Sequence, residues 1–240
     1  MFSIISRALY PRRCPCCRGV IAADMLICDD CTDSFRKIAP PWCLKCGRHV
    51  EADEEYCKEC LSKEHSYSSG MAVFEYDSRM KRSMSDFKFN GWKENSDYYV
   101  SEAVRIHKAD ICRFAPSILV PVPIHSSKRA LRGYNQAELI ASGIGSRLQI
   151  PVVSDLLVRT KKTKAMKVLD KEGREANLKT AFICDLNRYS KNEIEKNFPK
   201  VMLVDDIYTT GATMEGCTRA LLTAGVGKVA IFSIAAGGGS

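Results

Sequence analysis

Two adjacent carboxylates, Asp205 and Asp206, follow the apolar run Val201, Met202, Leu203 and Val204. They precede Thr209, Thr210, Gly211, Ala212 and Thr213. The chemistry open to such a sequence is anion capture beside a metal or a sugar. A helix N-terminus carries unpaired N–H groups and a partial positive charge, so it accepts a phosphate. Gly211 lets the backbone approach and tolerates positive φ, and the three threonines add hydroxyl donors. Asp205 and Asp206 would repel a phosphate directly. They make sense as holders of ribose hydroxyls, or of a Mg2+ ion that bridges to a diphosphate. A sugar phosphate with a second, metal-bound phosphate group satisfies every residue of the set. The plainer alternative is an ordinary strand followed by an Asp/Thr-rich helix cap.

A second chemistry lies near the N-terminus. Four Cys-x-x-Cys pairs, Cys14/Cys17, Cys28/Cys31, Cys43/Cys46 and Cys57/Cys60, are separated by ten, eleven and ten residues. Each pair places two thiolates on one metal, and two pairs complete a tetrahedral four-sulfur site, the usual structural zinc arrangement. One or two sites are expected. Sequential and interleaved pairings both fit, and sequential pairing is favoured because each site then closes a short loop. Cys16 is left over. Some sixty residues bury little core, so metal binding would supply the folding energy. The remaining cysteines, Cys112, Cys184 and Cys217, stand in apolar surroundings and read as small core residues.

A third group is basic. Lys128, Arg129 and Arg132 follow the apolar run that ends at Pro121 and Pro123. A loop at a strand's C-terminal end is where an open α/β sheet binds ligands, and these three charges suit a diphosphate. His125 in the same segment reads as a surface loop histidine. Residues 159–179 hold eight Lys or Arg against three acids. Such a long polar segment is either a lid or a solvated loop.

The elements that must position these groups can be read from periodicity. Residues 201–204 form a buried strand that the carboxylates terminate, and Met214, Cys217, Leu221 and Ala224 mark a following amphipathic helix. Strands are also expected at residues 71–76, 117–123 and 228–234. Helices are expected on Met80, Met84 and Phe87, over residues 95–113, and from Tyr134 through Gln136, Ile140, Ile144 and Leu148. Residues 124–133 read as a loop, and the polar stretch 61–70 as a linker. This divides the chain into a cysteine-rich zinc-binding module at 1–66 and an α/β domain at 67–240. In residues 87–93, aromatic side chains alternate with lysines. They either stack bases and hold phosphates of a single strand, or pack while the lysines snorkel.

Composition limits the remaining classes. The apolar fraction of 45% is that of a globular protein, and the net charge of +8 suits an anionic partner without choosing among nucleotide, nucleic acid and membrane surface. Twelve cysteines with no signal-peptide core ahead of them argue for metal rather than disulfides. No apolar run is long enough to cross a bilayer, so a cytoplasmic protein without membrane insertion is expected.

The run Val-Asp-Asp-Ile-Tyr-Thr-Thr-Gly-Ala-Thr resembles the phosphoribosyl-pyrophosphate loop of type I phosphoribosyltransferases. The resemblance implies a Rossmann-like parallel α/β sheet. It implies that Asp205 and Asp206 bind the ribose 2- and 3-hydroxyls, and that residues Thr209, Thr210, Gly211, Ala212 and Thr213 bind the 5-phosphate. The basic segment 159–179 would be the flexible loop that closes over the reacting centre, with Lys164, Lys167 and Arg174 aimed at the leaving pyrophosphate.

A narrower resemblance follows from Pro-Val-Pro-Ile-His-Ser-Ser-Lys-Arg-Ala-Leu-Arg-Gly-Tyr-Asn-Gln-Ala, together with the cysteine knuckles. Both are similar to the ComF family of competence-associated, phosphoribosyltransferase-like proteins. That family's pattern continues here through Arg159, Thr163, Leu169, Arg174, Asn177 and Phe182, and departs at Met166, where glutamine is expected. The resemblance implies a role in single-stranded DNA uptake or processing, with competence helicase and recombination proteins as partners. Two functions follow. One is phosphoribosyl transfer from phosphoribosyl pyrophosphate with Mg2+, in which Lys128, Arg129, Arg132 and Arg174 serve the departing pyrophosphate; the acceptor is not specified by any residue. The other is a non-catalytic DNA-binding competence factor that keeps the nucleotide pocket as a relic or a sensor.

Overall fold

The computed structural model describes residues 11–159 and 181–237. Its centre is a four-stranded, all-parallel sheet in the order β1–β6–β5–β2. The strands are β1 (Ser69–Glu75), β2 (Ile118–Pro121), β5 (Lys200–Tyr208) and β6 (Lys228–Ala236). Parallel strands are covered on both faces, so they read as unbroken apolar runs, and the pleat sorts those runs by parity. Val201 and Leu203 face one side of the sheet, Met202 and Val204 the other, and all four are fully buried.

After the one-turn helix α1 (Lys58–Leu61) of the cysteine-rich segment, three helices cover one face: α2 (Ser78–Phe89), α3 (Asn95–Phe114) and α5 (Gln136–Leu148). Met80, Met84 and Phe87 recur at helical spacing, are wholly buried, and meet Tyr99, Ile140 and Ile144. Full burial of one such side chain contributes about 1.5–3 kcal/mol. The caps follow local chemistry. Asp77 accepts the Met80 N–H at 2.8 Å, and Asn135 accepts the Ala137 N–H at 3.2 Å.

The opposite face receives α7 (Ala212–Thr223), α6 (Lys191–Asn197) and a small antiparallel pair, β3 (Leu157–Arg159) with β4 (Phe182–Cys184). Met214, Cys217 and Leu221 of α7 pack there against Val201, Leu203, Val229 and Ile231. The same apolar cluster contains Cys43, Cys46, Val50, Cys60 and Tyr67. The third and fourth cysteine pairs are thus part of the sheet's core. The first two pairs surround a separate small cluster of Cys14, Ile21 and Cys31. Between these two groups of cysteine pairs the chain runs along β1: Lys37 bridges Phe74 in antiparallel fashion, and Ile38 N–H donates to the Val73 carbonyl at 2.9 Å.

Four expectations are corrected. The carboxylates do not end their strand; β5 continues to Tyr208, because Tyr208 is buried and keeps pairing with Ala236. Residues 124–133 are not all loop, since Ser126–Arg132 forms a short helix, α4, whose N-terminus is capped by the His125 ring. Residues 61–70 are docked rather than linking: Tyr67 is inaccessible to solvent, and Ser68 N–H donates to the Val229 carbonyl at 2.7 Å. Cys112 is exposed, because it lies one position beyond Ile111 on α3 and so faces away from the buried stripe. Cys217 is buried and Cys184 partly so.

Candidate functional site

Parallel strands aim their C-terminal ends at one edge, and the chemistry collects there. β5 delivers Asp205 and Asp206. The next residues, Thr209 and Thr210, are exposed, and Gly211 turns the chain into α7 with φ of 77°. A Cβ at Gly211 would lie 2.5 Å from the Tyr208 hydroxyl oxygen, so only glycine fits the turn. Ala212 and Thr213 open the helix, half-buried at its N-terminus.

The Asp206 N–H donates to Asp205 Oδ1 at 2.8 Å, and Asp206 Oδ2 pairs with Lys88 Nζ at 2.8 Å. Burial, and then the charge of Asp206, push the Asp205 carboxyl up to about 7, against the pull of Lys88 and Arg159. Lys128 is held below the ordinary lysine range. Loss of hydration is the first cause; the like charges of Arg159, Arg132 and Lys88 follow, and Asp206 offsets part of the effect. The carboxylate pair is thus in direct contact with Lys88 and within the electrostatic reach of Lys128 and Arg159, with Arg132 close enough to act on Lys128. Chemically, a carboxylate pair in such a setting can exchange a lysine contact for a metal ion or hydroxyls, and nearby cations can pair with phosphates.

The sequence candidates distribute as follows. Lys128 and Arg132 share the electrostatic surroundings of the carboxylate pair. Arg132 also donates to Gln136 Oε1 at 3.1 Å and lies over the Phe89 ring at 4.8 Å. Arg129 instead pairs with Glu138 at 3.0 Å. Arg174, Met166, Lys164 and Lys167 lie outside the described residues. His125 is half-exposed, and its Nδ1 accepts the Ser127 N–H at 3.2 Å.

Several contributors were not visible in the sequence. Lys88 is one. Arg48 is another: it is buried, its Nη2 donates to the carbonyls of Thr209 and Gly237, and its Nη1 donates to Glu59. The Arg48 guanidinium also lies 5.1 Å from the Tyr208 ring centre, and the Tyr208 and Tyr67 hydroxyls share a hydrogen bond of 2.9 Å. The one available signal was the double Cys-x-x-Cys context of Arg48, which marks it as a knuckle residue but not its distant partner.

The eight paired cysteines fall into two sets, Cys14, Cys17, Cys28 and Cys31, and Cys43, Cys46, Cys57 and Cys60. Pairing is sequential. Within each set the sulfurs lie within 4.8 Å of one another, and Cys17–Cys28 and Cys46–Cys57 are each 3.7 Å apart. A tetrahedron of sulfurs at ~2.3 Å from zinc has edges of about 3.8 Å, so the grouping of both sets suits one ion each. Cys16 belongs to neither.

A double zinc ribbon joined to a parallel α/β sheet is the class these features define. Residues 5–61 match the double zinc ribbon domain family. Competence protein F of Haemophilus influenzae is 29% identical over 231 residues, which covers 93% of this chain and 96% of that one. Competence protein ComFC of Bacillus subtilis is 26% identical over 215 residues, covering 86% and 82%. DNA utilization protein YhgH of Escherichia coli is 24% identical over 229 residues, covering 93% and 96%. The chain is a homologue of the ComF competence proteins, as its motifs implied. No helix among the described residues is long and apolar enough to cross a membrane.

Proposed function

We propose that this chain is a phosphoribosyl-pyrophosphate-binding, phosphoribosyltransferase-like protein that acts in the uptake or processing of single-stranded DNA during natural transformation. Residues 1–66 form its zinc module and 67–240 its nucleotide domain. The observation that carries the reading is the C-terminal edge of β5, where Asp205 and Asp206 lead into a hydroxyl loop at the N-terminus of α7, Asp206 pairs with Lys88 at 2.8 Å, and Lys128, Arg132 and Arg159 share the electrostatic surroundings. The carboxylates would hold the ribose hydroxyls or Mg2+. The loop would hold the 5-phosphate, and the basic group would hold the pyrophosphate. The competence and DNA utilization names of its relatives support the biological setting.

Calorimetric titration of phosphoribosyl pyrophosphate with Mg2+ into zinc-loaded protein tests the pocket. Binding that Asp205→Asn/Asp206→Asn abolishes supports the reading, and absence of binding by the native chain rejects it. Release of labelled pyrophosphate with amines, bases or DNA as acceptor tests turnover.

The second reading is a DNA-binding competence factor whose pocket is a relic or a sensor. It is favoured by one surface. Phe89 is exposed beneath the Arg132 guanidinium, Lys93 lies over Tyr134 at 4.9 Å, and Arg13 lies 6.0 Å from Trp92. Phe89, the exposed ring of the three, lies beside a cation in a way that suits a stacked base, while Tyr134 is buried and Trp92 partly so. Affinity for a single-stranded oligonucleotide should then fall steeply and log-linearly with salt; a flat salt profile argues against it.

A further inference from the structure

The two ribbons relate differently to the candidate phosphate loop. The first reaches α2 and α3: Arg18 donates to both oxygens of buried Asp86 at 2.9 and 3.0 Å, and Arg12 pairs with Asp97 at 2.9 Å. The second reaches the loop itself, by three routes. Arg48, two residues after Cys46, donates to the Thr209 and Gly237 carbonyls and lies against the Tyr208 ring. Tyr67 shares a hydrogen bond with Tyr208, whose hydroxyl fills the space beside Gly211. Ser66 donates through N–H at 2.8 Å and hydroxyl at 2.6 Å to Glu215, in the first turn of α7.

The knuckle geometry decides what Arg48 can do. Cys43 N–H donates to the Arg48 carbonyl at 2.7 Å, and Gly47 N–H to the Cys43 carbonyl at 2.9 Å, so the Arg48 backbone belongs to the metal-binding turn. Its side chain is anchored on the ribbon by Glu59, the neighbour of Cys60. Both ends of the arginine are therefore fixed beside the four-cysteine set, and its Nη2 is shared between the Thr209 carbonyl of the loop and the Gly237 carbonyl. A buried guanidinium with charge-assisted bonds holds geometry well, because each bond left unmade costs its full desolvation.

We propose that Arg48 couples the second zinc site to the phosphate loop. It is a positioning residue: with metal on Cys43, Cys46, Cys57 and Cys60 it holds the Thr209 carbonyl and the Tyr208 ring in the ligand-ready arrangement. Metal occupancy of that set and affinity at the loop then rise and fall together, whereas the Cys14, Cys17, Cys28 and Cys31 set is not coupled. The inference rests on reading residues 209–213 as the phosphate loop, and its first test does not require that the ligand bind.

Hydrogen exchange by mass spectrometry on the zinc-loaded full chain compares native protein with Arg48→Lys, Glu59→Gln and, as the control on the other ribbon, Arg18→Lys. Zinc content is measured for each. Exchange of amides 209–213 should accelerate about tenfold in Arg48→Lys and by a smaller factor in Glu59→Gln, and stay native-like in Arg18→Lys. Glu59→Gln loosens the arginine without touching the loop, so it gives the answer if Arg48→Lys does not fold. Unchanged loop exchange in both variants with zinc bound, or an equal change in Arg18→Lys, overturns the coupling.

The second test uses linkage. Phosphoribosyl pyrophosphate with Mg2+ should raise the equilibrium affinity of the second zinc set against a competing chelator, by the factor that second-site zinc raises ligand affinity, and leave the first set unchanged. An equal effect on both sets overturns the proposal. If loop exchange responds as expected while native protein binds no ligand, the coupling stands and the ligand assignment fails.

Discussion

Replacing Asp205 with asparagine should stabilise the ligand-free protein, and the gain should depend on pH. Asp205 sits at the C-terminal end of β5, half-buried, with Oδ1 accepting the Asp206 N–H at 2.8 Å. Its carboxyl is pushed from the usual 3.8 up to about 7, first by burial and then by Asp206. The sign follows from linkage. The folded state holds a proton that the unfolded state has lost, so stability falls as pH rises from about 4 to about 7 and is flat above that. At ~1.4 kcal/mol per tenfold change in proton affinity the full effect is bounded at about 4 kcal/mol. Residual solvent contact lowers the net figure to roughly 1–2 kcal/mol. Asparagine keeps the Oδ1 acceptor and the volume while removing the charge. Urea unfolding of both zinc-loaded proteins between pH 5.5 and 8.5 should show a variant advantage that grows with pH and levels off above about 7. Zinc content is checked at each point, because thiolate protonation releases metal. An advantage independent of pH, or a loss of stability at pH 8, refutes charge repulsion as the stored cost of this site.

Four further outcomes are expected. Tyr67→Phe leaves the buried Tyr208 hydroxyl without its 2.9 Å partner and should cost about 1–2 kcal/mol in urea unfolding; no loss would mean that the pair contributes nothing. Gly211→Ala forces a Cβ to within 2.5 Å of the Tyr208 oxygen at φ of 77°, so both stability and phosphate-ligand affinity should drop, by roughly 1–3 kcal/mol for the fold. Chelation should release zinc from two separate four-cysteine sets; Cys43→Ser should lower the cooperativity of unfolding more than Cys14→Ser, because Cys43 lies in the sheet's own core. Phe89→Ala removes an exposed ring and should weaken single-stranded oligonucleotide binding by about 1–3 kcal/mol with little effect on melting temperature.

What could be read from the sequence was what local spacing encodes. The run at 201–204 announced a buried strand, and the even cysteine pairs announced four-sulfur sites, one or two in number, of which the fold assembles two sets. Gly211 announced the turn into α7. The contacts of Arg48, Lys88 and Tyr67 were illegible for the opposite reason: each meets a partner more than a hundred residues away, and nothing nearby in the chain marks the meeting. Helix α4 was missed because none of its residues is buried, so it shows no apolar period and forms under its His125 cap. Cys112 was misplaced because an apolar neighbourhood in sequence does not fix which face of a helix a residue occupies.

The antiparallel pairing of residues 36–38 with β1 has a consequence for how the chain is made. β1 is an outer strand, and its partner inside the sheet, β6, is the last strand among the described residues. During vectorial synthesis β1 emerges long before β6 exists, a period in which a bare strand edge invites pairing with other chains. The ribbon connection is already synthesised by then and can lie along β1 from the moment it appears. The connection between the two cysteine sets thus covers the outer edge of β1 and precedes in synthesis the strand whose edge it occupies.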